Sequence, residues 1–342
     1  MRKKNLAIEK FILDNIRDYP KTLVPLVVKK FSVSRQTVNK YLNHLIEEKK
    51  IKATGNTKSR EYSLLPIIEK EFEYLISSDL EEDKVWRNDI SPYLGDLKKD
   101  VKLICNYCFT EIFNNAISHS EGQHIYVDLN IYNDLVEMAI QDDGIGIFNK
   151  IQQRCNLDDP IQAIFELSKG KLTTQPEDHT GEGIFFVSKM CNEFLIVSHS
   201  LSFGHYQDDV DLMLESIEET DLNGTAVSMR IFPEKHKNMR EVYQKYSADN
   251  NIGFTKTIIP VSLARYGDEN LVSRSQAKRI MYRFEKFETV ALDFENVEMI
   301  GQAFADEIFR VYRRKNPNLN IVYINANKNV DEMIKRVELN TK

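Results

Sequence analysis

Glu111 and Asn115 stand four residues apart in a run whose apolar residues recur at helical spacing from about Lys98 to Ser118. A carboxylate and an amide oxygen therefore project from one face of a helix. An amide oxygen is a neutral ligand for hard Mg²⁺, which keeps part of its water shell and takes further oxygens from a triphosphate. The carboxylate one turn away can orient or deprotonate an attacking water or hydroxyl. Downstream, Asp142-Asp143-Gly144-Ile145-Gly146 follows a strand-like run. There Asp142 can accept a hydrogen bond from the amino group of adenine, while the glycines let backbone pass close to a nucleotide. Thr180-Gly181-Glu182-Gly183 then opens a helix-like stretch, where backbone N–H groups and the dipole favour phosphate. Asn223-Gly224-Thr225 leads a last strand ending at Pro233.

Each element alone has a plain structural explanation, because an E-x-x-x-N is usually a solvated helix face and a DDG turn needs no ligand. Their order is the signal. Two strand-like runs, His124–Asn130 and Leu135–Ile140, separate the helix from the first glycine pair. The ordered set resembles the GHKL superfamily, shared by histidine kinases, anti-sigma factor serine kinases, gyrase B subunits and MutL, over about residues 85–235. That resemblance implies a Bergerat-type α/β sandwich binding ATP with Mg²⁺. Glu111 then corresponds to the general base, Asn115 to the magnesium ligand and Asp142 to the adenine anchor. Gly144 with Gly146, and Thr180 and Gly181 with Gly183, form the two glycine boxes, and Thr225 lies beside the adenine-side carboxylate. Between the boxes the family carries a mobile lid. Here that stretch includes Ser168, Lys169, Lys171, Thr173 and Thr174, either closing on phosphates through Lys169 and Lys171 or forming a solvated loop. His119 and Ser120, just after the Asn115 turn, either face the site or cap the helix.

The elements around this core suggest three domains. Leu6–Ile16 and Leu23–Phe31 read as helices, and Ser34 as the N-cap of a third, SRQTVNKYLNHLIEE, with Val38, Leu42, Leu45 and Ile46 on its apolar stripe. Ser34, Arg35, Gln36, Thr37, Asn39 and Lys40 stay available to base edges and phosphates. A hairpin follows with a polar tip at Gly55–Arg60 that includes Lys58 and Arg60. Over residues 1–65 this resembles a winged helix-turn-helix, which implies double-stranded DNA as a partner. Residues 66–98, with IIEKEFEYLI, read as a linker helix. Residues 99–235 form the ATP-binding domain.

From residue 250 to 342 the pattern alternates strand and helix: Thr257–Val261, Ser273–Phe284, Thr289–Phe294, Gly301–Arg313, Asn320–Ile324 and a helix through Met333 to Val337. LDFENVEMIGQAFADEIF resembles the core of STAS domains, partners of anti-sigma kinases. Where phosphorylatable members place a serine before the second helix, this chain has Met299-Ile300-Gly301-Gln302, so docking, within the chain or onto a protein partner, is the implied role. The expected fold is thus multidomain α/β: winged helix-turn-helix, Bergerat-type sandwich and small STAS-like domain.

Composition narrows the function classes. No apolar run approaches the roughly 20 residues of a membrane span, and MRKKNLAIEK leads into an amphipathic pattern rather than a secretory signal. A cytoplasmic protein without membrane partners is expected, with a homodimer compatible. The net charge of −6 divides unevenly, because residues 1–65 hold 15 Lys and Arg against 6 Asp and Glu, leaving −15 for the rest. A basic head suits an anionic partner. Cys105 and Cys108 form a CxxC, but inside an apolar helix and without a second ligand pair, so they read as buried packing. The absence of a paired-helix phosphoacceptor histidine argues against a sensor histidine kinase. The leading expectation is an ATP-binding, slowly hydrolysing DNA-binding regulator whose nucleotide state controls domain arrangement. The alternatives are an anti-sigma-type protein serine/threonine kinase and a non-hydrolysing ATP-binding scaffold.

Overall fold

The computed structural model describes residues 2–56, 59–172, 181–206, 211–215, 223–247, 253–265 and 270–339. The chain divides into two compact units, residues 1–70 with 129–136, and residues 71–128 with 137–342.

The first unit opens with α1 (Arg2–Asn15), α2 (Leu23–Phe31) and α3 (Arg35–Glu47). An antiparallel hairpin of β1 (Ile51–Thr54) and β2 (Glu61–Leu64) follows, with Ile51 opposite Leu64. Ile8, Ile12 and Ile16 meet Leu23, Val27, Val38, Leu42, Leu45, Ile51 and Tyr62 in one buried core. Their spacing of three or four residues keeps each apolar stripe on one helical face. Ser34 starts α3 as expected, its hydroxyl accepting the Thr37 N–H at 3.1 Å. Within residues 129–136, Tyr132 and Asp134 hold Arg17, whose guanidinium lies 4.5 Å over the Tyr132 ring and 3.3 Å from the Asp134 carboxylate.

The second unit is built on β3 (Ile68–Leu75), β4 (His124–Ile131), β5 (Val136–Asp142), β6 (Glu193–Ser198), β7 (Leu201–His205), β8 (Asp211–Glu215) and β9 (Thr225–Ile231). They form one sheet in the order β3-β4-β5-β9-β6-β7-β8. Along β5, β6 and β9 burial alternates strictly, so Val136, Met138, Ile140, Phe194, Ile196, Val227 and Met229 point inward. Between the strands run α4 (Glu82–Val85), α5 (Lys99–His119), α6 (Ile147–Cys155), α7 (Pro160–Lys169) and α8 (Gly183–Met190), with α9 (Met239–Lys245) after β9. The apolar face of α5, including Phe109 and Phe113 stacked at 5.3 Å, packs against α8 and β9.

The stretch expected to be a linker helix is corrected: IEKEFEYL is the strand β3. Half-buried Ile68, Phe72 and Tyr74 alternate with exposed Glu69, Glu71 and Glu73, a period of two that wins once a sheet edge offers partners. Tyr74 sits edge-on to Phe113 at 5.4 Å and donates its hydroxyl to Asp89 at 2.9 Å.

The carboxy-terminal part contains β10 (Lys256–Pro260), α10 (Arg274–Met281), β11 (Thr289–Asp293), α11 (Gln302–Asp306), α12 (Arg313–Lys315), β12 (Asn320–Ile324) and α13 (Lys328–Leu339). A wider turn of helix at Glu307–Tyr312 joins α11 to α12. The three strands pair in parallel in the order β10-β11-β12, with Ile258, Ala291 and Val322 in register. Parallel neighbours need crossovers, which the helices supply. The strand and helix limits lie within a few residues of those read from the alternation. Among the described residues no helix is long and apolar enough to cross a membrane.

Candidate functional site

Four separated segments converge on one cavity of about 340 Å³. From α5 come Glu111 and Asn115, from the start of α6 Gly146, from the start of α8 Gly181 and Gly183, and from β5 and β9 Asp142 and Thr225. Ile140, Ile147, Ile151, Leu167, Leu172 and Val227 supply an apolar lining, as expected of small-ligand sites with a few convergent polar groups.

Asp142 lines the cavity and is only 6% exposed. Its Oδ1 accepts the N–H groups of Gly144 at 3.0 Å and Thr225 at 3.2 Å, which leaves Oδ2 as the oxygen free to meet a ligand. Burial pushes the carboxyl up to about 6, although the two N–H donors pull the other way. Thr225 ties two elements together, its hydroxyl accepting the Ile147 N–H at 2.9 Å. Gly224, just before, has φ +88°, and a Cβ there would overlap the backbone oxygen of Asp142. Gly224→Ala is expected to destabilise the fold by about 1–3 kcal/mol, seen as a lower denaturation midpoint, with Asp142 displaced.

The Glu111 carboxylate lies against the first turn of α8, where a Cβ at Gly183 would overlap its Oε2. Tyr107, one turn earlier on α5, is hydrogen-bonded to Tyr243 of α9, and both phenols feel the Glu111 charge. Burial first, then the Glu111 charge and the hydrogen bond with Tyr243, hold Tyr107 well above the usual phenol range, so it stays a neutral hydroxyl.

Gly144 does not line the cavity but serves it through its N–H to Asp142. His119 and Ser120 do line it. Lys169 and Lys171 do not line it. Lys169 is fully buried, its ammonium on Glu166 at 2.5 Å and on the Tyr282 carbonyl at 2.9 Å. Lys171 donates to the Lys286 carbonyl at 2.9 Å. In this arrangement both ammonium groups donate to carbonyls of the carboxy-terminal part, Lys169 pairing with Glu166 of its own helix as well, and neither residue lines the cavity. Thr173, Thr174 and Thr180 lie outside the described residues.

Lys150 is a charged cavity residue that sequence reasoning missed. It stands one helical turn after Gly146 and donates to the His119 carbonyl at 2.6 Å and to Glu121 at 2.9 Å. A lysine in IFNKIQQRC reads as solvated, and only its distance of one turn from a glycine pair could have marked it. The CxxC reading stands: Cys105 and Cys108 are buried with Cys191, and burial raises both thiols. Among the described residues no group of three or more His, Cys, Asp and Glu side chains could hold a metal ion alone.

In the first unit, Arg35, Gln36, Asn39 and Lys40 are exposed and Thr37 is half-buried. Ser34 and Thr37 hydroxyls bond each other at 2.9 Å, and Arg60 lies 5.4 Å over the Tyr62 ring. Lys58 lies outside the described residues.

No curated protein matches the chain in sequence. Residues 276–331, from within α10 to the start of α13, match the family model described as a STAS-like domain of unknown function (DUF4325), so this stretch of the chain is a STAS-like domain.

Proposed function

We propose that the cavity binds ATP with Mg²⁺ in a GHKL manner and hydrolyses it slowly, in a regulator whose first unit binds double-stranded DNA as a winged helix-turn-helix. The observation that carries this reading is the convergence of Glu111, Asn115, Asp142, Gly146, Gly181, Gly183 and Thr225, from four separated segments, on one cavity. Asp142 Oδ2 is a lone acceptor in an apolar niche, suited to an exocyclic amino group and unsuited to a carbonyl. The donor set also fits the cation. Asn115 offers one neutral oxygen, and among the described residues no acidic cluster stands by, so Mg²⁺ would be held by Asn115 only together with triphosphate oxygens. The N–H groups at the start of α8 suit the phosphates. When bound, the cation lowers the charge barrier to attack on the γ-phosphorus. Glu111 takes the proton of the attacking water, and the apolar lining excludes bulk solvent.

Calorimetry with ATP, GTP and ADP, with and without magnesium chelation, tests the site. ATP binding that disappears with chelator and is absent for GTP is expected; equal affinity for GTP would overturn the role given to Asp142. With γ-labelled ATP the label should appear as free phosphate. Label retained on protein would instead favour phosphotransfer to a hydroxyl.

The DNA reading rests on the exposed polar row of α3 and on the +9 charge of residues 1–65. Arg35→Ala and Lys40→Ala should each weaken binding to DNA fragments and reduce the salt dependence, log K against log salt, by about 1. Fluorescence anisotropy at several salt concentrations reads this, and an unchanged slope in the double variant would count against α3 as the contact helix.

A further inference from the structure

Two helix C-termini meet beside the cavity. α7 ends at Lys169 and α10 ends at Met281, and the last carbonyls of a helix have no partners within it. Each helix is capped here by a cation from the other side. Lys169 of α7 donates to the Tyr282 carbonyl at 2.9 Å and reaches the Arg279 carbonyl at 3.5 Å. Arg283, just past α10, donates to the carbonyls of Gly170, at 3.3 Å, and Lys171. Between the two cations lies Glu166, 2% exposed, paired with Lys169 at 2.5 Å and with Arg283 at 3.1 Å. The Thr257 hydroxyl of β10 adds a bond to the Lys169 carbonyl at 2.8 Å. Arg283 holds φ at +67°, a conformation costly for a side chain of its kind, so the packing around it over-determines its place.

The gripped stretch is also cavity wall. Leu167 and Leu172 line the cavity on either side of Lys169 and Gly170. Leu172 in turn donates its N–H to the Gly181 carbonyl at 3.0 Å, and Gly181 is a lining residue itself. Gly170 leaves no space to spare, since a Cβ there would press on the rings of Phe254 and Phe185. Phe185 lines the cavity too and stacks on Phe254 at 4.6 Å. Movement of the wall therefore requires that the reciprocal caps open, because the aromatic junction behind it is packed.

We infer that the STAS-like domain grips the cavity wall at residues 166–172 through Arg283 and Lys169, and thereby sets the rate at which the cavity exchanges its ligand. This deepens the nucleotide reading and rests on it for the identity of the ligand. Arg283 and Lys169 are positioning residues, since neither lines the cavity. A buried ionic knot suits such a grip, because it is strong when complete and fails as a unit when one partner is withdrawn. A partner that draws the STAS-like domain aside would release the wall.

The experiment compares the full chain with Arg283→Gln and with the milder Lys171→Ala, whose bond to the Lys286 carbonyl is more exposed. Two readouts are taken: hydrogen exchange of the amides at 167–172, and release of a fluorescent N-methylanthraniloyl ADP. Loss of charge-assisted bonds to carbonyls should speed both by about tenfold in Arg283→Gln, and less in Lys171→Ala. Cooperative melting should persist. Faster exchange with unchanged release overturns the inference, and so does unchanged exchange in both variants. If the wild type fails to bind the ADP probe, the nucleotide reading falls, and the grip is then judged on exchange alone.

Discussion

Replacing Asp142 by asparagine is expected to weaken ATP binding by about 10- to 100-fold while raising the melting temperature of the ligand-free protein above pH 6. The two effects share one cause. Oδ1 is committed to the N–H groups of Gly144 and Thr225, so an amide must keep its oxygen there and turn its NH₂ toward the ligand. Two donors would then face each other across a desolvated contact, a loss of about 10- to 100-fold in affinity. For stability, burial raises the folded carboxyl to about 6, above its ordinary value. A group raised in this way gives its full stability below the unfolded value and loses it as pH rises through about 6. By linkage the loss at higher pH is at most about 3 kcal/mol. Asparagine carries no such loss, so its advantage in melting temperature should appear at pH 7 to 8 and vanish near pH 4. Wild-type affinity should fall as pH drops below about 6, where Oδ2 gains a proton and ceases to be an acceptor. Calorimetry and thermal melts across this range check both signs. An Asp142→Asn protein that binds ATP normally, or a wild-type affinity flat from pH 7 to pH 5, would remove Asp142 from the base pocket.

The convergence of these residues on one cavity was legible because they fall in local motifs with strict backbone demands. Glu111 and Asn115 share a helix face by spacing alone, Asp142 and Gly146 sit at the joint between β5 and α6, and Gly181 and Gly183 sit at the start of α8. The carboxy-terminal alternation was legible for the same reason, since period two and period 3.6 differ sharply in TVALD and in α13. What failed to show were the choices made by partners distant in sequence. IEKEFEYL became β3 because a sheet edge was there to receive it. Lys169 and Lys171 look like phosphate ligands in SKGKL, yet the carbonyls that hold them, at residues 282 and 286, lie more than a hundred positions away. Lys150 hid among the polar residues of α6. In each case local propensity was silent about which unsatisfied backbone group would be within reach.

Glu111→Gln should leave ATP affinity near wild type and slow hydrolysis by about 10²- to 10⁴-fold, the range for loss of a positioned general base. Gly183 provides a second approach to the same atom. A methyl group at position 183 would overlap Glu111 Oε2, and since that oxygen is the far end of a flexible chain, the carboxylate can swing aside rather than break the fold. Gly183→Ala should therefore lower turnover with little change in melting temperature, and it should weaken binding only so far as the α8 N–H groups shift. Combining the two substitutions distinguishes a shared role from two separate ones. If the methyl acts by displacing the carboxylate, Gly183→Ala has nothing left to displace in a Glu111→Gln background with its base already gone, and the double variant hydrolyses ATP no more slowly than Glu111→Gln alone. Additive losses would mean that Gly183 serves the phosphates directly and that the contact with Glu111 is incidental. Equal hydrolysis by wild type and Glu111→Gln would place the proton acceptor elsewhere.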